Sequence, residues 1–312
     1  MKIGLDVLGG DFAPDVNVSG ALQAREELGD RASIVLIGDE SDIIRLLDEN
    51  GAPRDTFEII HTSEGIAMND HPAKAFARSP NSSIALGFKH LQSGEIDAFT
   101  STGNTGAMLV GAMYTIRTIP GVIRPCITTA MPVLNGGVSI LLDVGINSDC
   151  KPDVLYQFGI LGSIMAEQIY KIDNPRVGLM NIGEEEGKGN LLTQAAHQLM
   201  KNSKEFNFQG NVEGRDIYLG EADVVVCDGF TGNVVLKQAE ALFTLINKRG
   251  IKDEYFERFN YEIYGGTPVL GVNGNVIIGH GISSANAIKN MIKLSADTAE
   301  ADLANRIRKV FK

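Results

Sequence analysis

Short apolar, β-branched runs recur along the chain, at residues 3–7, 33–37, 57–60, 98–101, 138–142, 177–181 and 224–227, with helically patterned segments between most of them. Runs this short, bounded by turn residues, read as buried strands. Strands that alternate with helices predict a mostly parallel sheet, because parallel neighbours need a crossover and the crossover helices cover both faces. The fold class expected is therefore α/β, a three-layer, mostly parallel sheet. Ligands of such sheets sit outside the carboxyl ends of the strands, so the turns there are the places to search.

With 312 residues, 44% of them hydrophobic, the chain can build a full core. Charged residues make up 21%, which fits neither a disordered nor a low-complexity chain. The net charge of −11 argues against a broad nucleic-acid surface, so any anion must be bound locally. The cysteines Cys126, Cys150 and Cys227 are scattered, without a C-x-x-C pair, which points to no disulfide framework, no zinc cluster and a reducing cytoplasm. Asp6 and Gly9-Gly10-Asp11 interrupt the opening apolar run before it reaches signal-peptide length. Residues 106–119, the most apolar helical stretch, are too few to cross a bilayer of about 30 Å. A spanning protein is not expected; a surface-bound one stays open.

Residues 124–142 break the alternation, with two β-like runs flanking Asn135-Gly136 and no helix between them. That predicts a hairpin insertion, and with it two lobes in one catalytic unit, 1–312, without a flexible linker.

Two strand-to-helix turns are built for an anion: Ser101-Thr102-Gly103-Asn104-Thr105-Gly106 and Asp228-Gly229-Phe230-Thr231-Gly232-Asn233. Glycine allows close backbone approach and a helix start presents unpaired N–H groups; an ordinary capped turn has the same residue types. A third turn, residues 181–190, sets Lys188 between two glycines and behind Glu184–Glu186, as a ligand contact or a solvated charge cluster. Asp6, Gly9, Gly10 and Asp11 close the first strand before a helix starting near Pro14, where the carboxylates could bind a ligand hydroxyl or Asp11 could cap the helix. His280 lies in a glycine-lined turn and reads as either a structural histidine or a proton donor. Neither G-x-S-x-G, nor H-E-x-x-H, nor G-x-G-x-x-G after the first strand is present.

Taken together, DVLGGDFAP from Asp6, STGNTGAM from Ser101, LLDVGINSDC from Leu141, VGLMNIGEEEGKGN from Val177, FQGNVEGRDI from Phe208, DGFTGNVVLK from Asp228 and YGGTPVLGVNGNVIIGHG from Tyr264 resemble the bacterial phosphate acyltransferase family. The resemblance runs nearly end to end. It implies transfer of a fatty acyl group from acyl carrier protein to inorganic phosphate in phospholipid synthesis. It also implies a two-lobed fold like isopropylmalate and isocitrate dehydrogenases, a homodimer, and peripheral membrane association on the cytoplasmic side. The chain departs from the family pattern where Arg78 is followed by Ser79-Pro80-Asn81 before Ser82-Ser83, and where the segment ahead of Tyr264 is short.

For that reaction, the phosphate sites expected are Ser101, Gly103, Asn104, Thr105 and Gly106, with Lys188. Asn233 would polarise the thioester carbonyl, and His280 could protonate the leaving thiol. Asp6, Gly9, Gly10, Asp11, Asp228, Gly229, Thr231 and Gly232 would line the substrate. No cofactor and no metal is called for. Acyl carrier protein is acidic, so it needs a local basic patch, and Lys248, Arg249, Lys252 and Arg258 are the candidates. Five of the chain's 13 Phe and 7 Tyr fall at Tyr255, Phe256, Phe259, Tyr261 and Tyr264, suited to acyl-chain, membrane or partner contact, or to packing on the body. Rival readings are a coenzyme-A-dependent phosphotransacylase, a nicotinamide-dependent decarboxylating dehydrogenase, and a non-catalytic sensor that binds acyl carrier protein.

Overall fold

The computed structural model describes residues 1–312. In chain order the elements are β1 (Lys2–Asp6), α1 (Asp15–Leu28), β2 (Ser33–Gly38), α2 (Glu40–Glu49), β3 (Glu58–His61), α3 (Pro72–Arg78), α4 (Ser83–Ser93), β4 (Ala98–Ser101) and α5 (Thr105–Gly111), continued by a π-helical turn, Ala112–Ile116. There follow β5 (Cys126–Pro132), β6 (Val138–Leu142), α6 (Pro152–Gln168), β7 (Arg176–Met180), α7 (Leu191–Met200), β8 (Asn207–Val212), α8 (Asp216–Leu219), β9 (Val224–Val226), α9 (Gly229–Lys248) and α10 (Glu254–Glu257). The chain ends with α11 (Tyr261–Tyr264), β10 (Thr267–Leu270), β11 (Asn275–Ile278), α12 (Ala285–Glu300) and α13 (Leu303–Val310). Two compact units result: unit 1 holds Met1–Thr118, Tyr261–Pro268 and Val272–Ala304, and unit 2 the remainder.

In unit 1 the strands run β3-β2-β1-β4-β11 in parallel, and the first half of β10 is antiparallel to β11. Side chains alternate across a strand, and β4 shows both faces. Ala98 joins the cluster of Ile3, Leu5, Val18, Ala21, Ile288 and Met291 under α1 and α12. Its neighbour Phe99 turns the other way, edge-on to Phe88 of α4 at 5.1 Å. Helices thus cover both faces. α1 and α12 meet at Gly20, where an added Cβ would come within 2.5 Å of Ile288.

In unit 2 the order is β10 (second half)-β5-β6-β9-β7-β8, antiparallel as far as β6 and parallel beyond. The hairpin predicted for residues 124–142 is β5–β6, with Pro132 opposite Val138. It is an integral part of the unit's sheet, since β6 continues into β9. α6 lies on this sheet through Gly162, close to Val224 and Leu142.

Three strands went unread in the sequence. β8 contains Asn, Gln and Gly, β10 contains Pro268, and β11 starts at an Asn and is flanked by Gly274 and Gly279. Residues of these types are depleted in strands, and tertiary pairing overrides that bias here.

Candidate functional site

The carboxyl ends of β1, β4 and β11 converge in unit 1, bringing together the turns after Asp6, Ser101 and Ile278. Gly9 and Gly103 touch through their backbones: a Cβ on Gly9 would lie 2.6 Å from the Gly103 nitrogen. Gly10 takes φ 105° under the Thr102 hydroxyl, a conformation that favours glycine. Thr102 Oγ1 donates to the Gly9 carbonyl at 2.9 Å, and the Asp11 amide to the Gly281 carbonyl at 2.8 Å. Asn17, fully buried, closes the turn by donating to the carbonyls of Asp6, Val7 and Gly9.

Asp6 is the buried carboxyl of this cluster, at 1% exposure. It accepts from the Ser101 hydroxyl at 2.6 Å and the Leu8 amide at 3.0 Å, while Ser101 Oγ accepts from the Gly103 amide at 2.9 Å. Burial raises the Asp6 carboxyl above its ordinary value; the Ser101 hydroxyl and neighbouring amides oppose the rise by favouring the charged form. The Ser83 hydroxyl lies beside Asp6, outside good hydrogen-bond geometry. Asp6 and Ser101 thus hold a turn in place and do not face solvent.

Asn104 caps α5, accepting from the Ala107 amide at 3.0 Å, and donates to the carbonyls of Ala67, Met68 and Asp70. Its side chain is spent on the protein and offers an anion nothing. Gly106 carries no Cβ because Pro72 stands in that space. Thr105 and Gly106 form the first two positions of α5, and the Thr105 side chain is exposed. Asp11 does not cap α1, whose first position follows Pro14 without a side-chain cap. His280 is half-buried, its ring edge-on to Tyr261 at 4.7 Å. Ser82 caps α4 and, like Ser83, is buried.

In unit 2 the structure is organised by a residue the sequence reading did not single out. Asp143, fully buried, accepts from the amides of Ile127, Gly145, Ile146 and Asn147 and from the Asn147 side chain, at 2.6–3.3 Å. The resulting loop abuts the first turn of α9. The Gly229 amide donates to the Asn147 carbonyl at 2.7 Å, and a Cβ on Gly232 would collide with the Asp143 carbonyl. Gly229 and Gly232, expected to line substrate, are therefore explained by backbone packing. Asp228 is the N-cap of α9, accepting from the Thr231 amide and hydroxyl, each at 2.9 Å. Asn233 is exposed one turn into the helix, its Oδ1 near Gly145. The signal for Asp143 was present in the sequence as an acidic residue ending an apolar run before Gly145 and Asn147.

Beside α9 a cavity of about 520 Å³ is lined by Leu155, Leu179, Met180, Asn181, Ile182, Gly189, Asn190, Thr193, Gly214, Cys227, Asp228 and Thr231. Asp228 and Thr231 are the expected substrate residues that reach it. Lys188 lies on the 181–190 loop, half-exposed, with its ammonium 3.9 Å from Glu185. All three thiols are buried: burial pushes Cys126 and Cys227 well above the ordinary thiol range and Cys150 up to about 12. Glu184, Glu213 and Asp216 stand close enough to share a cation, but Arg215 already pairs with them, at 2.5 Å from Glu213.

The partner patch divides. Lys248, Arg249 and Lys252 are exposed, whereas Arg258 donates to the carbonyls of Val133 and Gly137 and ties down the hairpin loop. Tyr255, Phe256 and Phe259 pack on one another, Phe259 on Tyr218 at 5.7 Å, and the Tyr255 hydroxyl reaches the Pro132 carbonyl. Packing on the body accounts for these aromatics.

The family described as "Fatty acid synthesis protein" matches residues 1–306. A phosphate acyltransferase of Dictyoglomus turgidum is 42% identical over 327 aligned residues, covering 98% of this chain and 96% of that one. That of Salinibacter ruber is 40% identical over 331, covering 100% and 98%. The chain belongs to the phosphate acyltransferase family. It is an acyltransferase, and the sensor reading falls away. Aligned lengths beyond 312 residues mean that these phosphate acyltransferases carry segments absent here. A phosphotransacetylase of Streptococcus pyogenes superposes with a TM-score of 0.68 at 18% identity, over 96% of this chain and 94% of that one. A 4-hydroxythreonine-4-phosphate dehydrogenase of Burkholderia phymatum gives 0.53 at 15%, over 95% and 97%. At those identities the likeness shows the fold, a two-lobed α/β architecture. No helix is long and apolar enough to cross a membrane.

Proposed function

We propose that this chain transfers a long-chain fatty acyl group from acyl carrier protein to inorganic phosphate, giving acyl phosphate and free acyl carrier protein for phospholipid synthesis. The observation that carries it is the match to phosphate acyltransferases over 96–98% of both partners' lengths.

The chemistry fits the residues. Inorganic phosphate loses its second proton near neutral pH, so a sizeable fraction is the dianion at pH 7 and can attack without a protein base. A phosphate oxygen attacks the thioester carbonyl carbon, the oxyanion forms, and its collapse breaks the C–S bond, releasing a thiolate whose acid has a pKa near 8.5. The enzyme must place the reactants and stabilise the oxyanion. A covalent detour through the protein is disfavoured, since the three thiols are buried with raised pKa values and the Ser101 hydroxyl is committed to Asp6. In unit 1 we assign phosphate contact to the Thr105 and Gly106 amides and a dispensable proton-donor role to His280; in unit 2 we assign an anion contact to Lys188 and carbonyl polarisation to Asn233.

Thiol release from palmitoyl-acyl carrier protein, with and without phosphate and with the product identified by mass, tests the reading. Phosphate-dependent release of acyl phosphate supports it; release indifferent to phosphate overturns it. Acetyl-coenzyme A as the preferred donor would favour the phosphotransacylase alternative. The proposal extends to a cytoplasmic homodimer that touches the membrane surface transiently. Exposed Leu242 and Leu245 on α9, near Lys248 and Arg249, support a surface of that kind. Sedimentation equilibrium and co-sedimentation with anionic vesicles check the two points.

A further inference from the structure

The cavity of unit 2 has a floor without an assigned role. Leu155, Leu179 and Cys227 are buried to 4% exposure or less, and Met180 to 8%. Its polar walls are already spent: Asn181 donates to the Lys188 carbonyl and accepts from the Ile182 amide, and the Thr193 hydroxyl donates to the Asn190 carbonyl. An amide-rich or charged ligand would find few partners. The segments that supply the walls also carry exposed apolar residues. Ile182, a wall residue, is 80% exposed; Leu191, beside wall residue Asn190, is 86%; Phe230, beside wall residue Thr231, is 67%. Single exposed apolar side chains are ordinary, but these are three of the four most exposed large ones in the molecule, gathered on segments that line one apolar cavity. About 520 Å³ is within the range that holds small ligands.

We propose that this cavity takes the fatty acyl chain of the thioester substrate, with the wall residue Ile182 covered by its methylenes. The inference rests on the acyl-transfer reading, and it makes the cavity the element that ranks substrates by length. Each methylene it buries should raise kcat/KM about fourfold until the cavity is full.

The test uses the full chain with acyl carrier proteins carrying hexanoyl to palmitoyl groups, and in parallel the fluorescence of cis-parinaric acid on titration with enzyme. Met180→Trp fills the cavity; Ile182→Asp alters only a surface side chain and remains decisive should the first variant misfold. Each should lose kcat/KM progressively with chain length, at least tenfold more on palmitoyl than on hexanoyl substrate, and cis-parinaric acid should bind correspondingly more weakly. Equal losses at every chain length, or unchanged profiles with unchanged cis-parinaric acid affinity in Ile182→Asp, overturn the proposal. Wild-type binding of cis-parinaric acid that the variants lose, without acyl phosphate from any substrate, would support the cavity assignment and remove the acyl-transfer reading instead.

Discussion

Asn233 and Lys188 carry their functional assignments on different grounds, and their variants should differ in kind. Removing one oxyanion donor costs about 3 kcal/mol, so Asn233→Ala should lower kcat by about 10²–10³-fold in steady-state assays; near-normal turnover would end that assignment. Lys188→Ala should raise the phosphate KM with a smaller change in kcat, and saturation at the wild-type phosphate level would place the cation elsewhere. Asp6 acts on stability instead. Its folded pKa is raised above 3.8 by burial, so its contribution is fully present below the ordinary carboxyl value and is lost as pH rises through the folded one. Denaturation midpoints of the wild type should therefore fall across that window, and those of Asp6→Asn should stay flatter; identical slopes would show that Asp6 is not the group titrating. Much of the unit 1 turn was legible in the sequence, because Gly9, Gly10, Gly103 and Ser101 are the types a close backbone approach demands. The spending of Asn104 on residues 67–70 was not legible, since an N-cap and a ligand donor are the same residue until its partners are known.

At the scale of elements, the start of α9 is fixed by its contact with the loop after β6. Gly232→Ala would drive a methyl into the Asp143 carbonyl, and overpacking of that kind typically costs about 1–3 kcal/mol. Thermal unfolding should show a melting temperature several degrees lower, with activity falling alongside as Asn233 shifts; an unchanged melting temperature would mean that the loop yields freely. The parallel strands β1, β2, β4, β6, β7 and β9 could be read from apolar runs because both faces of each are covered. The strands β8, β10 and β11 could not: Gly210, Pro268 and the glycines flanking Asn275–Ile278 hide strands that exist only because neighbours pair with them. Asp228 showed the reverse ambiguity, reading as a substrate contact while its carboxylate caps α9.

For the whole molecule, a net charge of −11 sets the terms of any encounter with an acidic carrier protein. The exposed cations Lys248, Arg249 and Lys252 must outweigh that field locally, so kcat/KM should fall steeply with ionic strength. Reversing all three charges should lower it at low salt and flatten the salt dependence, whereas salt-insensitive catalysis by the wild type would place docking on other residues. The division of the chain has a further consequence, for the order in which a ribosome delivers it. β4 is complete at residue 101, but β11, which pairs along its open side, begins at residue 275. At roughly 5–20 residues per second, the intervening synthesis takes on the order of ten to thirty seconds. Throughout that interval the nascent chain carries an unpaired strand edge of the kind that templates aggregation, and the turn after Ser101 waits for its neighbour until residues 275–278 are made.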